Sequence, residues 1–331
     1  MHCELVIPGL FAAPAAGRLA AAEMLLARGR CTSGPSQSLE AWLHEAFGLE
    51  DAPLAAGALT LLAAGGEPGG HCWTRADPVH LRLMRDRLVL VPPAALRIAH
   101  EEAEALCQAL NAHFGERLSL QVIDEGRWVA RLPAPIEVAT QAPLALAGCD
   151  VATGLPPNPA SPAHQLLNEA QMVLHTLPVN EARESRGEPP INSVWLWGAG
   201  SAPAVAAPAW QSVSAAEPLA LGLARAAGVR ARSAAASAEA WLERLPDDGR
   251  HLALVDLLRV PLALAESGEY QDELARLEAD WFAPLLARLR QGRVGMVTIH
   301  VPDGAECVAY ETIRGDLRRF WRRPKALAHY A

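Results

Sequence analysis

Two runs in the C-terminal half constrain the fold most: HLALVDLL (251–258) and GRVGMVTIHVP (292–302). Neither alternates apolar with polar residues. A strand with one wet face alternates, so continuous apolar runs of this kind belong to a sheet covered on both faces. Between them, ESGEYQDELARLEADWFAPLLARLRQG (266–292) has the spacing of a long amphipathic helix. Helical patterns at 215–227 and 236–245 precede them, with GVRA between. The short run CELVI (3–7) ends at the turn PGL. Strands alternating with helices predict an α/β fold with a mostly parallel sheet.

The first half is more mixed. GRLAAAEMLLARGR (17–30) and SQSLEAWLHEAFG (36–48) are helical, with Ser36 or Ser38 available as a cap. ALTLLAA (58–64) suits either strand or helix. DRLVLVPP (86–93), the helical stretch after it, and RLSLQVI and RWVARLP around DEG read strand–helix–strand–strand, the last two a hairpin. A proline-rich connection follows to about 163, then a helix from Ser161-Pro162 to about His175, then Pro178, which ends or kinks it. The expected organisation is a core of 1–90 and 151–331 with an inserted subdomain and connection at 91–150.

Charge narrows the partners. The 331 residues carry a formal net charge of −8, which argues against a general nucleic-acid partner. Hydrophobic residues make up 51%, enough for a sizeable core, yet no uninterrupted run is long enough for a membrane span. Glu4 and Pro8 interrupt the N-terminal apolar stretch, and no basic region precedes it, so a signal peptide is not expected. Cys3, Cys31, Cys72, Cys107, Cys149 and Cys307 show no ligand spacing. They read as small residues in a reducing compartment, and the expected location is cytoplasmic.

Ordered motifs between about 95 and 200 then suggest a family. ALRIAHEEAEALCQALN is followed by the hairpin, GCDVATGLPP, and HQLLNEAQMVLHTLPVNEARESRGEPPINSVWLWGAG. His-x-x-Pro-Val-Asn-x-x-Arg, Gly-x-Pro-Pro, and Asn before Trp-x-Trp-Gly-x-Gly, in that order, resemble the archaeal-type cofactor-independent phosphoglycerate mutases of the alkaline phosphatase superfamily. The whole chain also resembles a proteobacterial group known as regulatory proteins of RpfE type, through IPGLF, RADPVHL and RRFWRRPK. The first resemblance implies a three-layer αβα core with a small inserted α/β subdomain; the second implies a regulatory role.

The mutase resemblance also implies a serine nucleophile and two divalent metals, Mn or Zn, held by Asp and His just after the sheet strands. Metals there neutralise phosphoryl oxygens and activate the attacking hydroxyl. At the first such position this chain has Pro8-Gly9-Leu10. HLALVDLL supplies Asp256 without the expected His, and the last strand is followed by His300, Asp303 and Glu306 in another order. RADPVHL offers Asp77 and His80, in an Asp-Pro segment that equally suits a turn. Most of the two-metal site is therefore expected to be missing, with no metal bound and a regulatory or small-anion-binding role. The alternative is an active, metal-dependent phosphomutase or phosphatase with a rearranged site of Asp77, His80, Asp256, His300 and Asp303.

Other candidates each have a bland alternative. His175, Asn180 and Arg183 could form an anion pocket for a phosphorylated or carboxylated metabolite, or simply stabilise a helix end and turn. Asn192 could position a ligand or bond nearby backbone. Gly198 and Gly200 could cradle phosphate or let the chain turn sharply. In RGDLRRFWRRPK (314–325), Arg318, Arg319, Trp321, Arg322 and Arg323 could dock an acidic protein surface, or the aromatics could pack inward while the arginines snorkel.

Overall fold

The computed structural model describes all residues except Asp51, Asp86, Thr140, Asp303, Gly304 and Ala331. Among the described residues there are twelve strands: β1 (His2–Val6), β2 (Arg30–Gly34), β3 (Cys72–Met84), β4 (Arg87–Val91), β5 (Ser119–Asp124), β6 (Arg127–Leu132), β7 (Ser193–Gly200), β8 (Ser212–Ala215), β9 (Arg230–Ser233), β10 (Arg250–Leu254), β11 (Met296–Val301) and β12 (Cys307–Ile313). The chain divides into two compact units, Met1–Glu50 with Val205–Ala331, and Asp51–Ala204. The second takes in 51–90 and 151–204 as well as the 91–150 segment.

The first unit is built on a seven-stranded sheet in the order β2-β12-β11-β1-β10-β8-β9. The run from β11 to β9 is parallel; β12 and β2 extend it antiparallel. The expected mixed α/β fold with a largely parallel sheet is present. Pairing register decides what each face of the sheet carries. Cys3, Leu5, Ala253, Val297 and Ile299 share one face, and a continuous apolar core buries them under the helices Ala20–Arg28, Ala238–Leu242, Ser267–Leu277 and Ala283–Gln291. The other face of the same central strands carries His2, Glu4, Arg250, Thr298 and His300. The long helix expected over 266–292 contains a π turn at Glu278–Phe282. Pro284 enters just after it; proline lacks the N–H for the regular ladder and crowds the preceding turn, which a π turn relieves.

The second unit is an antiparallel sheet, β4-β3-β6-β5 with β7 paired to β3. Leu106, Leu110, Leu167, Ala170 and Leu174 from the helices His100–Phe114 and Pro162–His175 pack on one face of it, against Val194 and Leu196. Ser38 and Ser161 cap their helices, accepting from Ala41 N and His164 N. Residues 56–63, ambiguous from sequence, are a helix, and Pro178 opens a new one, Pro178–Ser185.

RADPVHL departs from the expected turn: it lies inside the 13-residue strand β3. A central proline normally argues against a strand. Pro78 pairs with Val194 of β7 on one side, while on the other side β6 pairs with Cys72–Arg75 and β4 begins only at His80. Pro78 therefore falls in the gap between two partners, where no N–H is called for.

Candidate functional site

In the first unit the polar face of the sheet converges on one carboxylate. Glu4 is 2% exposed. Its Oε1 accepts from Arg250 Nε at 2.8 Å and lies 3.6 Å from His2 Nδ1; its Oε2 lies 3.1 Å from His300 Nε2. His2 Nε2 in turn bonds Thr298 Oγ1 at 2.8 Å. Burial alone pushes the Glu4 carboxyl up, but the His300 hydrogen bond, the His2 charge and the Arg250 hydrogen bond outweigh it and bring it down to about 2. Burial lowers the pKa of His2. Trp42, from the helix Leu39–Ala46, packs against the His300 imidazole in a tilted arrangement, 5.1 Å between centroids and 51° between planes. Arg259 binds Glu40 of that helix at 2.6 Å, fixing it over this face.

Beside this cluster is a cavity of about 410 Å³, the size of a small-ligand pocket. Glu4, Arg250 and His300 line it together with Trp42, Trp210, Gln37 and Glu45. Trp210 packs on Phe47 at 5.4 Å. The Arg250 side chain is 45% exposed, so its guanidinium is anchored by Glu4 yet open to solvent. No sequence motif marks Glu4, Arg250, Trp42 or Trp210; the one signal along the chain is a charged residue inside the apolar run CELVI.

The residues expected to form a rearranged metal site fall differently. Asp77 and His80 lie on β3 of the second unit, three residues apart and so on opposite faces. Asp77 is buried; its Oδ1 accepts from Arg75 Nε at 2.9 Å and its Oδ2 from Trp197 Nε1 at 2.8 Å. Full burial pushes its carboxyl up, against the pull of Arg75 and Trp197. His80 Nδ1 faces Pro190 O at 2.9 Å, and burial lowers its pKa. Asp256 and His300 belong to the first unit, with Asp256 just beyond the end of β10 rather than inside the strand. Asp303 lies outside the described residues. After β1 the chain turns through Pro8, Gly9 and Leu10, and Tyr270 Oη donates to Gly9 O at 2.8 Å. Among the described residues, no group of three or more His, Cys, Asp and Glu side chains is arranged to hold a metal ion.

The candidates around INSVWLWGAG are taken up by the second unit itself. Arg183 is fully buried; Nε donates to Pro189 O at 2.9 Å, Nη1 to Glu102 Oε2 at 2.6 Å and Nη2 to Leu96 O at 2.6 Å. Asn180 donates to Leu174 O and Ile191 O and accepts from Ile191 N. Asn192 clamps the backbone of Leu81, accepting from its N at 2.8 Å and donating to its O at 3.0 Å. His175 is exposed at its helix end. Gly198, at φ +60°, lies where a Cβ would stand 2.5 Å from Ala56 Cβ, and one on Gly200 would stand 3.0 Å from Ala55 Cβ. These two glycines allow close packing at the start of the helix Ala56–Ala63. Trp195 and Trp197 share one face of β7 and donate to Gln141 O and Asp77. The geometry here is that of interior ties.

The C-terminal basic segment is tied back to the first unit at two of its arginines. Arg319 donates to Arg28 O and pairs with Asp316 at 2.8 Å, and Arg322 donates to Gly29 O. Phe320 and Trp321 do not pack inward: they are 77% and 66% exposed and meet edge-on at 5.3 Å, beside the also exposed Arg318, Arg322 and Arg323.

No family model matches the chain, and no curated protein matches it in sequence. In fold it is similar to the cofactor-independent phosphoglycerate mutase from Thermoplasma acidophilum DSM 1728, at 16% identity and a TM-score of 0.47, over 95% of this chain and 90% of that one. It is also similar to the PH0037 protein from Pyrococcus horikoshii, at 16% identity and a TM-score of 0.57, over 94% of this chain and 87% of that one. The second likeness establishes a shared fold across nearly the whole chain. Among the described residues, no helix is long and apolar enough to cross a membrane.

Proposed function

We propose that this chain is a catalytically degenerate relative of the cofactor-independent phosphoglycerate mutases. It keeps an alkaline-phosphatase-type arrangement and serves a regulatory, ligand-binding role for a small carboxylated or phosphorylated metabolite. The family part rests on the ordered motifs HTLPVNEAR, RGEPP and INSVWLWGAG. The observation that carries the functional part is the Glu4 cluster. A buried, ionised carboxylate holds Arg250 and His300 at the mouth of a cavity, which suits an anion. The donor set does not fit a pair of divalent metals, because Pro8, Gly9 and Leu10 offer no side-chain ligand after β1 and Asp77 is already bonded to Arg75 and Trp197.

The test has two parts. Elemental analysis of purified protein for Mn and Zn, with a phosphoglycerate interconversion assay in added metal, is expected to give neither stoichiometric metal nor turnover. Stoichiometric metal together with turnover that His300→Ala abolishes would establish the alternative, an active enzyme with a rearranged site. Calorimetry with 3-phosphoglycerate, inorganic phosphate and simple carboxylates is expected to give binding that Arg250→Gln removes. Binding that survives Arg250→Gln would move the anion site elsewhere.

A further inference from the structure

The cavity beside Glu4 has more chemistry in its walls than an anion needs. From the sheet side come two donors. Arg250, on β10, keeps part of its guanidinium open to solvent. Trp210 is 9% exposed, lines the cavity, and its indole N–H is buried with no acceptor among the described residues. From the covering segment come acceptors. Gln37 spends its Nε2 on Glu45 Oε2, and its Oε1 is buried with no donor among the described residues. Glu45 and Glu50 add two exposed carboxylates at the rim. Between these groups the lining is aromatic, supplied by Trp42 and Trp210.

Trp210 and Gln37 both line the cavity, and each has a buried polar atom without a partner among the described residues, at a desolvation cost of about 1–3 kcal/mol that a ligand reaching it would remove. A bare anion would satisfy Arg250 and the Trp210 N–H. It would leave Gln37 Oε1 unfilled and would face Glu45 and Glu50. A bare organic cation would do the reverse. A molecule carrying both charges a few bonds apart satisfies both sets.

We propose that this cavity binds a small zwitterion, a free α-amino acid, its carboxylate held by Arg250 and the Trp210 N–H, its ammonium by Gln37 Oε1 and Glu45, and its body against the two indoles. The proposal rests on the cavity being the anion site named above, and it adds recognition of the ammonium. Charged hydrogen bonds of this kind contribute about 1.5–3 kcal/mol each, so losing one weakens binding roughly tenfold or more.

The experiment is calorimetry of the full chain against the twenty standard L-amino acids. The best binder is then compared with its N-acetyl derivative, its decarboxylated amine, and 3-phosphoglycerate. The expected result is one or a few amino acids that bind, with both truncated analogues weaker by roughly tenfold or more. Glu45→Gln, an exposed change that leaves the fold intact, is expected to weaken the amino acid and leave the decarboxylation penalty in place. If the N-acetyl derivative binds as well as the parent, the zwitterion is wrong and the anion site stands. If no amino acid binds while 3-phosphoglycerate does, the zwitterion is again wrong and the anion site again stands. If nothing in the panel binds, both readings fall.

Discussion

Two arginine–carboxylate clusters in this molecule look alike on paper and behave as opposites. In the second unit, Arg183 and Glu102 form a closed knot. All three guanidinium nitrogens have protein acceptors, and Glu102 also accepts from Ala99 N and Arg186 Nη2. In the first unit, Glu4 is the buried member while its arginine, Arg250, remains half in solvent beside a cavity. A buried charge that is fully bonded serves the interior, and an anchored charge with an open side is available to a ligand. Which partner is sealed, the cation or the anion, separates a structural tie from a candidate site.

The sharpest way to break the comparison is to open the closed knot. Arg183→Met leaves Glu102 facing an apolar side chain and strips acceptors Leu96 O and Pro189 O of their donor. Removing one partner of a buried pair costs about 3–5 kcal/mol. A urea titration is expected to show a loss of that order, with ligand affinity in the first unit unchanged. A near-neutral result would remove Arg183 from the interior frame.

The open cluster is expected to announce itself through acid. Burial acts to raise the Glu4 carboxyl, yet the hydrogen bonds from His300 and Arg250 and the His2 charge bring it down from 4.5 to about 2. A lowered carboxyl stabilises fully above its unfolded value and loses that contribution as pH falls through its folded one. The fall from 4.5 to about 2 corresponds to roughly 3 kcal/mol. Between pH 4.5 and 2, the wild type is therefore expected to lose about that much more stability than Glu4→Gln, read from denaturant midpoints at stepped pH. Parallel curves would show that Glu4 is not held as described.

The same contrast separates what is legible in the sequence from what is not. The parallel strands β1, β10 and β11 are legible because a short continuous apolar run bounded by turns fits little besides a strand covered on both faces. The edge strand β2, RCTSG, is exposed throughout and carries no periodic signal, and the SVSA strand β8 is four residues long. Pro78 hides β3. For the site, motif order points to Arg183, Asn180 and Asn192, residues whose spacing reflects the turns and helix ends they hold together. The Glu4 cluster is assembled from positions 2, 4, 250, 298 and 300, joined only by the register of three strands. Spacing along a chain cannot reveal a cluster whose members meet across a parallel sheet.

A third tie tests whether the closed pattern is general in the second unit. Trp197 Nε1 gives Asp77 Oδ2 its 2.8 Å donor, and the indole also lies under the Arg75 guanidinium at 5.2 Å. Trp197→Phe keeps an aromatic ring there but leaves a buried carboxylate oxygen without that donor. The expected cost is about 1–3 kcal/mol, checked by thermal and urea melts. It is expected to fall below that of Arg183→Met because Arg75 continues to hold Oδ1.

The smallest stability effect belongs to the residue with the largest functional one. Arg250 is 45% exposed but Glu4 beneath it is 2% exposed, so removing the guanidinium takes a donor from a buried carboxylate oxygen, a loss of about 1–3 kcal/mol. His300 continues to bond Glu4 Oε2 when Arg250 is replaced. Arg250→Gln, whose amide N–H is still a donor, is therefore expected to cost stability at the low end of that range, well below Arg183→Met, while removing the carboxylate half of ligand recognition. That split is what distinguishes an open arginine from a sealed one. If Arg250→Gln instead destabilised the fold as much as Arg183→Met, both clusters would be interior ties and the cavity would lose its claim to be a binding site.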